Sequence, residues 1–176
     1  MHPSSIQNMK TSIDLIGNQL NCPINILDVG GRSLSEENDR SYKTLFKERY
    51  KEYSIADIVN GPGVTHIMPS EYVLPFDDAY FDLIVSGQTL EHVKNPFKLV
   101  AEMKRVLKPS GFMILIAPST GRRHDTIDCW RFMDDAFKAI MEDIGGMETI
   151  ANWITNSAPD QRSAKWSDHT FIGRKV

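Results

Sequence analysis

The sequence predicts an α/β fold, a doubly wound and mostly parallel sheet with an antiparallel pair of strands at its C-terminal end, layered as a three-layer sandwich. Three observations point there. Short apolar runs such as INILDV (24–29), FDLIVS (81–86) and FMILIA (112–117) read as strands buried on both faces. Segments with apolar residues at steps of three and four lie between such runs, so strand and helix alternate. After the last helical stripe come two strand-like segments with no helix between them, which makes them antiparallel neighbours.

Taken in order, residues 4–20 carry Ile6, Met9, Ile13, Ile16 and Leu20 on one stripe, an amphipathic N-terminal helix over 1–22 that packs on a domain spanning 23–176. Pro23 breaks the chain before the first strand, 24–29. Asn38 or Asp39 caps an expected helix over 39–51, with Tyr42, Leu45, Phe46 and Tyr50 on one face. The second strand is expected at 53–59, closed by Asn60-Gly61-Pro62-Gly63, and a brief third at 65–68. The fourth strand is 81–86. Asn95 and Pro96 then open a helix to about Lys108 that buries Phe97, Val100, Met103 and Leu107, and Pro109 and Gly111 stop it before the fifth strand. Phe137, Ile140, Met141 and Ile144 form the last helical stripe, ended by Gly145-Gly146, and strands follow at 148–155 and 170–175 around a loop at Pro159.

The chain has 176 residues, 20 Lys and Arg against 23 Asp and Glu, a formal charge of −3 and two cysteines. That balance disfavours a general grip on nucleic acid or on anionic lipid. Cys22 and Cys129 form neither a CxxC pair nor a disulfide framework, which suits a reducing cytoplasm. No apolar run reaches the roughly 18–20 residues of a membrane helix, and MHPSSIQNMK lacks the order of a signal peptide. The expectation is a single cytoplasmic domain without a membrane or metal partner.

Ligands of such sheets sit at the carboxyl ends of the strands, where strand order reverses. After the first strand comes Asp28-Val29-Gly30-Gly31-Arg32-Ser33, whose glycines let backbone turn tightly beside a ligand. Asp57 ends the second strand, where a carboxylate accepts both hydroxyls of a ribose. GGRSLS lacks the spaced glycines that receive a pyrophosphate, so a nicotinamide dinucleotide is disfavoured.

The ordered segments ILDVGG, IADI and LPFDDAYFDLIVSGQTLEHVKNPFKLVAEMKRVLKPSGFMILIAPS resemble the class I S-adenosylmethionine (SAM)-dependent methyltransferases, most closely small bacterial members of the methyltransferase type 11 group, across about residues 24–145. The resemblance implies a Rossmann-like sheet and SAM as cofactor. Carried over, Asp28, Gly30 and Gly31 match the turn under the methionine part, and Asp57 the acid that holds the ribose. Ser70 and Glu71 fall where adenine is flanked, and Ser86 and Gln88 run beside the methionine moiety. Arg32 and Leu34 stand where the family usually has further glycines, and Ser70 where it usually has an acid.

The loop PSTGRRHDTIDCWRFMDD follows the fifth strand at the same edge, and its His124, Asp128, Trp130, Arg131 and Phe132 resemble a histidine-to-tryptophan segment of related small methyltransferases. Methyl transfer needs an acceptor nucleophile held in line and relieved of its proton. Histidine suits a hydroxyl acceptor, so His124 and then His92 are the candidate bases. Asp128, Trp130 and Arg131 are the candidate acceptor-binding residues, Arg131 either on an anionic acceptor or paired with Asp128. The reading is methyl transfer to oxygen of a small-molecule or glycan acceptor. The alternative is a non-catalytic binding or partner module of the same fold. About 23 residues precede the first strand, so the 118–135 loop or a second subunit of a homo-oligomer is expected to complete the acceptor site.

Overall fold

The computed structural model describes residues 3–33, 41–47, 49–156 and 166–176. One seven-stranded sheet runs through it in the order β3-β2-β1-β4-β5-β7-β6. The elements are α1 (Pro3–Ile16), β1 (Ile24–Val29), α2 (Lys43–Phe46), β2 (Tyr50–Asp57), β3 (His66–Ile67), β4 (Phe81–Gly87), α3 (Pro96–Val106), β5 (Leu107–Thr120), α4 (Ala136–Ile144), β6 (Met147–Asn156) and β7 (Ser167–Lys175). The first five strands in sheet order pair in parallel, and β7 lies antiparallel between β5 and β6.

Strand alternation divides the core in two. Leu27, Val29, Ile84, Met113 and Leu115 face α3 and α4, where they meet Leu99, Val100, Met103, Phe137 and Ile140. Ile24, Ile26, Leu83, Val85, Ile114 and Ile116 face the other way, onto Met9, Ile13 and Ile16 of α1 and Phe46 of α2. Period-two alternation with both faces apolar is why these strands read as unbroken hydrophobic runs.

Several details differ from expectation. The helix expected over 39–51 is described only as Lys43–Phe46; Lys47 turns out of it with φ of 48°, and Tyr50 already belongs to β2. Asn38, Asp39 and Pro159 lie outside the described residues. The second strand starts and stops earlier than 53–59, because β1 pairs with it from Tyr50, leaving Ile58 and Val59 beyond its end. On α3, capped by Asn95 on the Lys98 N–H as expected, Val100 and Met103 are buried, but Phe97 faces solvent at 37% exposure while Leu99 and Val106 are buried. Leu107 is buried as expected but begins β5, and β5 runs well past 112–117 because β7 pairs along it.

Candidate active site

Strand order reverses between β1 and β4, so the carboxyl ends of β1, β2 and β4 open onto one crevice. Gly30 turns the chain there at φ of 77°, a conformation that glycine adopts freely. Its N–H donates to the Ala56 carbonyl at 2.8 Å, which holds the turn against β2. A Cβ on Gly30 would lie 2.2 Å from the Thr89 hydroxyl, and one on Gly31 would lie 2.5 Å from the Asp28 carboxyl carbon. Asp28 itself is buried beneath this turn and accepts the Tyr53 hydroxyl at 2.9 Å. Its carboxylate thus supports the turn from below.

Asp57 ends β2 partly buried. Its Oδ1 accepts the Val59 N–H at 3.0 Å, and among the described residues no hydrogen bond is recorded to Oδ2. Exposed apolar side chains, Ile58 and Val59, stand next to it. The loop after β1 crosses to this side, with Ser33 N–H donating to the Pro62 carbonyl at 3.1 Å. The stem of Arg32 packs on Gly61, where a Cβ would meet its Cδ at 2.7 Å. Leu34 lies outside the described residues. Ser70 is exposed, its hydroxyl accepting from Tyr72 N–H at 3.4 Å, and Glu71 lies 3.5 Å from the Lys94 ammonium.

At the end of β4, Ser86 is buried and donates to the Val29 carbonyl at 2.8 Å, so its hydroxyl fastens β4 to β1. Gly87 leaves room for Tyr42, whose hydroxyl would stand 1.8 Å from any Cβ there. Tyr42 is fully buried and shares a 2.6 Å hydrogen bond with Ser5 of α1; burial pushes its phenol above the ordinary range. Gln88 sits at φ of 58°, a region uncommon for a residue with a side chain and concentrated at functional sites. Its amide donates to Asp168 Oδ1 at 3.0 Å, and Ser4 donates to Asp168 Oδ2 at 2.6 Å. The first turn of α1 therefore reaches the crevice, a contribution beyond the 118–135 loop and the second subunit from which completion of the site is expected.

That loop forms the other wall. Asp128, with no exposed side-chain surface, accepts both Arg131 Nη1 and Nη2, and the paired guanidinium holds its carboxyl well below the usual range. The same Asp128 accepts the His124 backbone N–H at 3.0 Å and lies 3.1 Å from His124 Nδ1. Arg131 further donates to the carbonyls of Gly121 and Arg122 at 3.1 and 2.9 Å. Of the two roles left open for Arg131, the structure has the pairing with Asp128, and the pair orients His124. Trp130 donates its indole N–H to the Val93 carbonyl at 2.8 Å and is 41% exposed as a residue.

His92 closes the one-turn helix Leu90–His92 after β4, and its Nδ1 lies 2.5 Å from the Ile127 carbonyl. The rings of His92 and His124 meet edge to face at 5.0 Å. The structure thus unites both candidate bases, 32 residues apart in sequence, in one corner. Three further residues join them. Glu91 is fully buried, which pushes its carboxyl up to about 8. Trp166 packs at 5.1 Å on His124 and over Gly121, and the Arg131 guanidinium stands 5.7 Å above its ring. Asp168 forms the floor under Gln88. None of the three was marked in sequence: Glu91 stands beside a histidine in Leu90-Glu91-His92-Val93 with nothing to signal its burial, and only pairing of β7 with β5 brings Asp168, with Trp166 just before the strand, to this corner.

Comparison with known proteins follows the same lines. Residues 35–115 match a family model described as a methyltransferase domain, a span that begins just beyond the glycine turn. The ubiquinone/menaquinone biosynthesis C-methyltransferase UbiE of Shewanella piezotolerans is 30% identical over 142 residues, covering 77% of this chain and 53% of that protein. The chain spans about half the length, or less, of the first curated relatives it matches. Among solved structures, the YcgJ protein of Bacillus subtilis superposes with a TM-score of 0.72 at 15% identity, over 99% of both chains. The 1,6-didemethyltoxoflavin-N1-methyltransferase of Burkholderia thailandensis, solved with bound 1,6-didemethyltoxoflavin and S-adenosylhomocysteine, gives a TM-score of 0.71 at 14% identity, over 98% of this chain and 80% of that one.

Proposed function

Starting from a chain that has the class I SAM-dependent methyltransferase fold and whose residues 35–115 match the methyltransferase-domain family, we propose that it binds SAM and transfers the methyl group to an oxygen of a small-molecule or glycan acceptor. One observation carries the cofactor half: the Gly30-Gly31 turn, Asp57 and the strained Gln88 at the end of β4 converge on the crevice between β1 and β4. The fit is chemical as well as spatial. Asp57 Oδ2 and the exposed Ile58 beside it suit a ribose and the edge of an adenine, and the side-chain-free turn at Gly30 lets a ligand approach backbone. SAM carries no phosphate, so the missing glycines at Arg32 and Leu34 do not remove a required anion site.

Bound there, SAM would supply an electrophilic methyl on a sulfonium. The chain's own task is to hold the acceptor in line, roughly 3–3.5 Å from that carbon, and to take up its proton. The corner built by His92 and His124 serves the second need, with the Asp128–Arg131 pair fixing the His124 ring. Trp130 and Trp166 offer ring faces of the kind on which sugars and flat small molecules rest. The choice of oxygen rests on that histidine corner, since the relatives named above include a C- and an N-methyltransferase.

The test is transfer of labelled methyl from SAM to panels of hydroxylated small molecules and glycans. The proposal expects turnover that falls at least tenfold in His124→Ala while S-adenosylhomocysteine binding stays within twofold. Equal turnover in that variant would remove His124 from the chemistry.

A further inference from the structure

We propose that Glu91, His92 and His124 form a three-ligand site for a divalent transition-metal ion of the zinc type. The inference deepens the reading of this corner as the acceptor side, and rests on that reading for the site's use but not for its existence. One ligand atom from each of the three residues lies within 4.8 Å of the other two. Donors around a tetrahedral zinc stand about 3.4 Å apart, and His92 Nε2 is 3.6 Å from Glu91 Oε1 already. Side-chain rotations of about an ångström close the rest, within the reach of two partly exposed imidazoles.

Three features set the cluster apart from a chance group of polar side chains. Glu91 has no exposed surface, yet among the described residues neither carboxylate oxygen has a hydrogen-bond partner. A buried carboxyl is ordinarily paired, because burial takes away the hydrogen bonds that water would give it. Both histidines also have Nδ1 set against an oxygen: His92 on the Ile127 carbonyl at 2.5 Å, and His124 on Asp128 Oδ2 at 3.1 Å. Acceptors there place the ring proton on Nδ1 and leave a lone pair on each Nε2, the outer-shell arrangement of metal-bound histidines. Finally, the carboxylate outer partner of His124 is itself clamped by Arg131, which keeps it ionised and in place.

Two imidazoles and one carboxylate are the donor set of open, catalytic zinc sites, which keep a further position for water or substrate. Glu91 closes the site from the core side, and the 28% and 31% exposed rings leave its outer side open toward solvent. The ligand that position would take is an acceptor oxygen. A cation there would lower the pKa of a bound hydroxyl, the task otherwise left to imidazole alone.

The experiment is calorimetric titration of the purified chain with Zn2+ after chelator treatment, in a Cys22→Ser/Cys129→Ser background because both thiols are exposed. Co2+ absorption serves as an independent report of coordination. The proposal expects one equivalent at micromolar affinity or tighter, weakened at least tenfold in Glu91→Gln and in His124→Ala. Glu91→Gln keeps the shape of the side chain, and its circular dichroism and melting curve report that the fold is retained. Absent stoichiometric binding, or binding equal in both variants and the parent, overturns the site. S-Adenosylhomocysteine titrated in the same samples keeps the two readings apart: cofactor binding without zinc binding sinks only the metal site, and the reverse sinks only the cofactor reading.

Discussion

A carboxylate at the end of a strand, with one oxygen taken by a neighbouring N–H and the other open, loses little on removal unless a ligand uses it. Asp57 is in that position, so Asp57→Ala is expected to shift folding stability by no more than about 0.5 kcal/mol. The same change should cost cofactor affinity about 1.5–3 kcal/mol, a tenfold to hundredfold loss. Comparing a urea melt with a ligand titration separates the two effects. Gly87 is the converse case. Its missing side chain is required by Tyr42, not by a ligand, so Gly87→Ala is expected to destabilise the fold by about 1–3 kcal/mol through overpacking. Urea unfolding checks it, and an unchanged midpoint would mean that Tyr42 moves aside freely. Asp28, Gly30 and Asp57 were legible in sequence because each stands at the carboxyl end of an apolar strand or directly after it. Glu91 was not, because its burial comes from the loop that lays the Cys129 N–H on its carbonyl at 2.7 Å, a contact between distant parts of the chain.

At the scale of elements, the loop after β5 is organised around Arg131, whose guanidinium gathers Asp128 and the carbonyls of Gly121, Arg122 and Trp130. Lysine cannot reproduce that planar fork. Arg131→Lys is therefore expected to raise amide hydrogen exchange across 121–132 at least tenfold while leaving exchange in β4 and β5 unchanged; protection retained in the loop would show that Trp130 and Trp166 suffice to hold it. The helix α3 is tied to the preceding loop differently. Glu102 accepts the Leu74 N–H at 2.9 Å and two bonds from Arg105, and the guanidinium lowers its carboxyl below the usual value. A group depressed on folding adds stability above its unfolded value, near 4.3, and loses it as pH falls through the folded value. Glu102→Gln should thus cost about 1 kcal/mol at pH 7, discounted for partial exposure, with the gap closing below about pH 4. Melts across that range check it, and a gap independent of pH would contradict it. The stripe of α3 was readable from its spacing. The edge of that stripe, where Phe97 is left out and Leu99 taken in, was not, since periodicity alone leaves the width of the stripe unset.

Across the whole molecule, one sheet with two apolar faces accounts for both the unbroken hydrophobic strands and the single crevice at their carboxyl ends. No helix among the described residues is long and apolar enough to cross a membrane. Alternation of strand and helix made the fold class legible from sequence, and the antiparallel return of β7 followed from the lack of an intervening helix. What β7 does for the site was not legible: it inserts between β5 and β6 and so carries Asp168 to Gln88 and Ser4, joining the last strand, the fourth and the first helix in one polar contact. The N-terminal helix thus closes the crevice from one side, as the Arg131 loop does from the other. The central claim is that this crevice holds an S-adenosyl ligand against Asp57 and the Gly30 turn. Isothermal titration of the chain and of Asp57→Ala with S-adenosylhomocysteine tests it most directly. The account predicts saturable one-to-one binding by the parent and at least a tenfold weaker constant in the variant; no heat of binding at millimolar ligand, or equal affinity in the two proteins, would contradict it.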